Sequence, residues 1–175
     1  MSYQTHYSNP TNLVPVDVCL IGAAAKSIDF AAYSLTEPAV IQALVKAAKD
    51  GVQVRLYLDR SELEAEARGN PTMPSCPLHE LFGIPNVSIL VKHSMVLMHL
   101  KSYCVDTRVL RDGSANFSPI GESEQDNSLT VTDDTQAIAN FTAKFNSMWS
   151  RQDNQSVQAA IETSVSYGAH HGKSH

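Results

Sequence analysis

Cysteine is scarce in this chain of 175 residues: Cys19, Cys76 and Cys104 are the three it has. They form neither a CxxC pair nor a metal-ligand spacing, and an odd count gives little support to a disulfide framework. Long apolar runs are also missing. The most hydrophobic early stretch, residues 18–25, is too short to span a bilayer. No basic residue precedes it, the first lysine being Lys26, so it does not read as a secretory leader. No internal repeat is present. Cations are outnumbered, 13 Lys and Arg against 18 Asp and Glu, for a net charge of −5. That balance argues against a general nucleic-acid binder, whose affinity rests on cation–phosphate contacts.

The remaining composition is ordinary for a globular protein, with 43% hydrophobic and 18% charged residues. The length suits one domain with a real core. Residues 1–12 are polar and read as a flexible arm, 13–151 as the folded domain, and 152–175 as a helix and tail. Pro15–Lys26 reads as a helix and Ser27–Ser34 as a buried strand. Thr36 is placed to cap a helix carrying Val40, Ile41, Leu44, Val45 and Ala48 on one stripe, ended by Gly51. Val52–Leu58 alternates as a strand. Ser61 and Glu64 have the spacing of a capping box opening a short charged helix. A Pro-rich loop over 69–77, a short helix over 78–82 and a strand over 87–91 follow. Residues 98–105 and 109–111 read as a strand hairpin, and 127–132 as the last strand. The helix over 134–150 buries Ile138, Phe141, Phe145, Met148 and Trp149. A helix over 157–161 closes the pattern. Strands interleaved with helices indicate an α/β layered fold. The histidines of residues 168–175 read as a loose chain end rather than a metal site.

Chemistry concentrates between His99 and Asn116. In a strand, residues two apart share a face, so His99 and Lys101 point the same way. Asp106 has the opposite parity and reads as a structural carboxylate that fixes the following turn or pairs with an arginine. Gly113 lets the backbone approach closely. Ser114 and Asn116, again two apart, present a hydroxyl and an amide. A neutral imidazole can attack phosphorus while Lys, Ser and Asn hold the non-bridging oxygens, and none of this calls for a metal or cofactor. Lys92, Lys101, Arg108 and Arg111 face one acid, Asp106, over residues 92–111. Lys92, His93, Arg108 and Arg111 are therefore candidates for substrate binding on an acidic body.

His99, Lys101, Asp106, Gly113, Ser114 and Asn116 resemble, position for position, the HxKxxxxD motif and downstream Gly-Ser-x-Asn of the phospholipase D superfamily. The similarity extends upstream through residues 24–34, 38–56 and 83–85, and covers roughly residues 14–150. It is nearest to the small bacterial single-motif endonucleases. In those proteins a Glu follows the Gly-Ser-x-Asn segment; here Asp126 stands in its place, with Glu122 and Glu124 nearby. Its task would be to orient the imidazole. The resemblance implies a mixed β-sheet flanked by helices and a two-step phosphohistidine mechanism. Because each chain has one HxK motif, it implies a homodimer with a shared active site. The implied substrate is DNA, with RNA as a second, and no stable membrane insertion is expected. Small relatives are typically exported, so export is implied if a leader precedes this chain; no compartment is read from the residues. A lipid phosphodiesterase using the same chemistry is the first rival. A nucleic-acid-binding module with decayed catalysis is the second.

Overall fold

The computed structural model describes residues 2–69, 77–94 and 96–162. Its strands form one seven-stranded mixed sheet flanked by helices. In chain order the elements are β1 (Tyr3–Tyr7), α1 (Val14–Gly22), β2 (Ser27–Ala32), α2 (Pro38–Lys49), β3 (Gln53–Leu58), α3 (Arg60–Gly69), β4 (Val87–Val91), β5 (Lys101–Val105), β6 (Val109–Gly113), α4 (Pro119–Ser123), β7 (Ser128–Thr132) and α5 (Thr135–Trp149). A 3₁₀ turn over Pro77–Leu81 precedes β4. The strand order is β1-β7-β6-β5-β2-β3-β4. β2, β3 and β4 run parallel, joined by helical crossovers; the remaining pairs are antiparallel.

Strand alternation builds two main cores, beside a small third one of Leu13, Ala115 and Leu129. Ile28 and Phe30 of β2, Val54 and Leu56 of β3, and Tyr103 and Val105 of β5 face α2, whose stripe supplies Val40, Ile41, Leu44 and Ala48. Ala31, Tyr57 and Cys104 face the other way, onto Ile138, Phe141, Phe145 and Met148 of α5. Cys104 is therefore sealed, and burial pushes its thiol up to about 11; Cys19 of α1 is exposed. Cys76 and the histidines of 168–175 lie outside the described residues. Residues 157–162 are helical, with Val157, Ala160 and Ile161 in the first core.

Several boundaries differ from the sequence expectation. Residues 3–7 of the expected arm form an edge strand, each residue paired with β7 from Tyr3↔Thr132 to Tyr7↔Ser128. The aromatic and β-branched alternation of Tyr3, Thr5 and Tyr7 suits that half-exposed position. α1 stops at Gly22 because the amides of Ala25, Lys26 and Ser27 are taken by the Asp106 carboxylate, at 2.9, 2.7 and 2.8 Å. Glu37, not Thr36, caps α2 through the Ala39 amide. α3 is capped by Asp59, which accepts from the amide of Ser61 at 2.9 Å, so Ser61 lies inside the helix rather than ahead of it. Regular pairing of β5 begins at Lys101, leaving 98–100 as an extended approach.

Candidate active site

The register gathers the functional segments at one end of the sheet. The carboxyl ends of β2, β3 and β4 lie beside the start of β5, through Ala32↔Lys101, Ala32↔Leu58 and Leu58↔Val91. The close of β6 and the start of β7 meet at Gly113↔Leu129. Residues at the carboxyl ends of parallel strands are positioned by the sheet yet free of its ladder, where α/β proteins place their sites.

His99 is exposed, but its backbone is held on both sides. The Met98 amide donates to Asp59 Oδ2 at 2.6 Å, and the Leu100 carbonyl accepts from the Tyr33 amide at 2.9 Å. Its imidazole lies 4.5 Å, centroid to centroid, from the Tyr33 ring, tilted by 54°. The same ring carries the Lys101 ammonium 4.5 Å from its centroid, a distance at which a cation is attracted to an aromatic face. Lys101 Nζ also donates to the His99 carbonyl at 3.0 Å. Tyr33 therefore contacts both halves of the HxK pair. Burial lowers the Lys101 pKa, while the carboxylates of Glu62 and Asp59 pull it back up and favour the cation. Burial and a hydrogen bond with Glu62 raise the Tyr33 phenol, keeping it neutral.

Ser114 and Asn116 lie at the same end. The Ser114 hydroxyl donates to Asn127 Oδ1 at 2.9 Å and accepts the Ser128 amide at 3.0 Å. Gly113 is required there: a Cβ on it would stand 2.2 Å from the Ser128 carbonyl oxygen. Phe117 ties the segment back to the exit of β2, its carbonyl accepting the amides of Thr36 and Glu37 at 2.8 and 2.9 Å. Asn116, half-buried between these anchors, has a side-chain oxygen without a partner among the described residues.

Other sequence candidates are placed elsewhere. Arg111 is fully buried and cannot reach substrate. It forms a bidentate pair with Asp17, both bonds 3.0 Å, and approaches Glu122 at 3.4 Å. Tyr103 donates its hydroxyl to Asp17 at 2.7 Å. With two carboxyls beside one guanidinium, burial and the Asp17 charge push Glu122 up to about 9, so it is protonated at neutral pH. Glu122 is thus no substitute partner for the imidazole. Arg111 also donates to the Lys101 carbonyl at 2.7 Å, so it supports the site from beneath. Arg108 is exposed in the β5–β6 turn, at the opposite end of the sheet. A cavity of about 900 Å³ lies at that end beside Arg108 and Ile138, remote from His99. Lys92 is buried, with its ammonium on the carbonyls of Val96 and Leu97, and it secures the loop leading to His99. His93 is exposed, and its carbonyl accepts from Arg60 at 3.2 Å.

Asp106 is structural, but it acts on residues 25–27 rather than on its own turn or an arginine. Burial works to raise its pKa, and the three amides overcome this and lower it. The turn itself is made by Asp106 and Thr107, with φ of 53° and 54°. Asp126 is exposed, and its carboxylate accepts from Asn9 at 3.4 Å rather than from the imidazole of its own chain. Sequence reading gave no role to Tyr33, Asp59 or Asp17. Asp59 carried a usable signal, an acid between a strand and a helix; Asp17 carried another, a lone acid in an apolar helix. Among the described residues no group of three or more His, Cys, Asp or Glu is placed to hold a metal, and no helix is long and apolar enough to cross a membrane.

Comparison with known proteins agrees with the fold. The profile of the family described as "Cardiolipin synthase, PLD-like domain" matches residues 18–149. A solved phospholipase D family member, Nuc from Salmonella typhimurium, superposes with a TM-score of 0.71 at 25% identity, covering 88% of this chain and 97% of that one. NucT from Helicobacter pylori gives 0.69 at 20% identity, covering 85% and 96%. A mitochondrial cardiolipin hydrolase from Chlamydomonas reinhardtii is 22% identical over 129 residues, 74% of this chain. The chain spans 54% of that relative's length.

Proposed function

The chain belongs to the family of phospholipase D-like domains, and from that premise we propose that it is a metal-independent phosphodiesterase, an endonuclease hydrolysing DNA with RNA as a second substrate. The observation that carries this reading is the shared seat of the HxK pair, an exposed imidazole and a buried ammonium each 4.5 Å from Tyr33. The imidazole is free to attack, and the cation is fixed where phosphoryl charge would develop.

In-line displacement needs an acid opposite the nucleophile, and one chain holds one His99 in such a setting. Two copies meeting across a two-fold axis supply both. His99 of one copy forms a nitrogen–phosphorus bond as the phosphorus–oxygen bond to the leaving group breaks. His99 of the other donates its proton to that oxygen. The second imidazole then takes a proton from water, the resulting hydroxide displaces the first, and both rings return to their starting state. The Lys101 ammoniums and the amide of Asn116 stabilise the phosphoryl oxygens, joined by the hydroxyl of Ser114 once it turns from Asn127 to the phosphate.

A lipid substrate is the second reading, favoured by one observation. Val96 and Leu97, in the loop before His99, are 73% and 48% exposed, an apolar rim of the kind a lipid surface would engage. The test is hydrolysis of plasmid, single-stranded DNA, RNA and phosphatidylcholine vesicles in EDTA, with His99→Asn alongside. Plasmid cutting that survives chelation and falls by ~10⁴-fold in the variant is the expected result. Choline release without cutting would establish the lipid reading, and retarded but uncut DNA a binding module. An active species that sediments as a strict monomer would rule out the two-copy site.

A further inference from the structure

A hollow of about 270 Å³ opens beside His99, on the side facing α5. His99 forms part of its wall, and the buried Met98 and Met148 contribute apolar surface. Lys144 and Arg151 form a cationic rim, the buried Lys92 lies in the wall with its ammonium held by backbone carbonyls, and no carboxylate is among the lining residues. Such a concentration is unexpected in a chain of net charge −5. Lys46, by contrast, pairs with Asp50, Arg55 with Asp29 and Arg60 with Glu64. Here the partners are neutral. Lys92 donates to backbone carbonyls, and Arg151 to the Tyr57 hydroxyl at 3.3 Å. Lys144 is exposed and has no hydrogen-bond or ion-pair partner among the described residues. Its placement follows from helix periodicity, since residues 144 and 148 are four apart on α5 and share one face, while Arg151 follows just past the C-cap at Ser150.

We propose that this hollow is a subsite for the phosphate next to the scissile one in a nucleic-acid strand. The inference rests on the phosphodiesterase reading. Uncompensated cations beside the nucleophile suit a polymer whose phosphates recur along the chain, and the methionine surface suits the face of a sugar or base. The subsite lets an acidic protein hold a polyanion, because attraction is confined to the track leading into the site.

The test compares kcat/KM on a short single-stranded oligonucleotide with that on bis(4-nitrophenyl) phosphate, which lacks a second phosphate. Wild type, Lys144→Glu and His99→Asn are compared, with melting curves for each. In Lys144→Glu the oligonucleotide-to-diester ratio falls about tenfold, chiefly through KM, and the salt slope on the oligonucleotide drops by about 0.7 or more. A ratio and slope equal to wild type would overturn the subsite. So would a defect confined to vesicles of a bisphosphate lipid, which would assign the hollow to lipid. Failure of the underlying reading looks different: no hydrolysis by wild type, or hydrolysis that persists in His99→Asn. Anisotropy of a labelled oligonucleotide on His99→Asn, with and without Lys144→Glu, then decides the subsite independently of turnover. Equal affinities would overturn it.

Discussion

Two clusters of charged groups grow from strands β5 and β6, and they are opposite in kind. At the sheet's open end, the Lys101 ammonium rests on the ring of Tyr33 beside an exposed imidazole, with no carboxylate bonded to it. One layer deeper, Arg111 is sealed with Asp17, Tyr103 and Glu122, and every member is buried. A hydrogen bond from Arg111 to the Lys101 carbonyl joins the two. The deep cluster has its charges matched and serves as a foundation. The open one keeps its ammonium free of any bonded carboxylate, Glu62 and Asp59 acting on it only through their charge, so it can still meet an incoming phosphate. A cation's role here is set by its depth and by the partner it meets.

Substitutions can break this division of labour, beginning with the largest effect. Arg111→Met leaves the buried Asp17 carboxylate without its counter-ion and should destabilise the fold by about 3–5 kcal/mol, read by urea denaturation. Lys101→Met should do the reverse, leaving the midpoint close to wild type while kcat falls about 10²–10³-fold. If the two variants exchanged phenotypes, the comparison would collapse.

A smaller effect concerns Glu122. Its folded pKa of about 9 exceeds the ordinary 4.5. Folding therefore takes up a proton between those values, and the associated stability, complete below pH 4.5, is lost as pH rises toward 9. One proton corresponds to a slope of at most about 1.4 kcal/mol per pH unit. Glu122→Gln should flatten that slope across pH 5–9, as measured by denaturation at each pH. An unchanged slope would mean that Glu122 is ionised in the folded protein. The smallest effect is expected at Arg108, distant from both clusters. Arg108→Ala should change stability by no more than about 0.5 kcal/mol and leave hydrolysis as in wild type. A tenfold loss of activity would put substrate at the far end of the sheet.

The parts legible from sequence were those governed by local geometry. The α2 stripe from Val40 to Ala48, the α5 stripe from Ile138 to Met148 and the close approach at Gly113 follow from period, parity or steric need. The misplaced features depended on distant partners. Asp106 reads as a turn residue until residues 25–27 are brought to it. Arg111 reads as a surface cation until Asp17 arrives from α1. Residues 3–7 read as a loose arm until β7 offers an edge.

By itself, the sequence determined the family of phospholipase D-like domains, the alternation of helices and strands, and the pairing of His99 with Lys101 on one short segment. Those features are set over a few residues, where backbone geometry dictates which side chains fall together. Tertiary structure alone decided that Tyr33 contacts that pair, that Arg111 and Lys92 are withdrawn from solvent, and that Lys144 stands across a hollow from the imidazole. Burial and charge pairing belong to contacts between segments far apart in the chain, which no local spacing records.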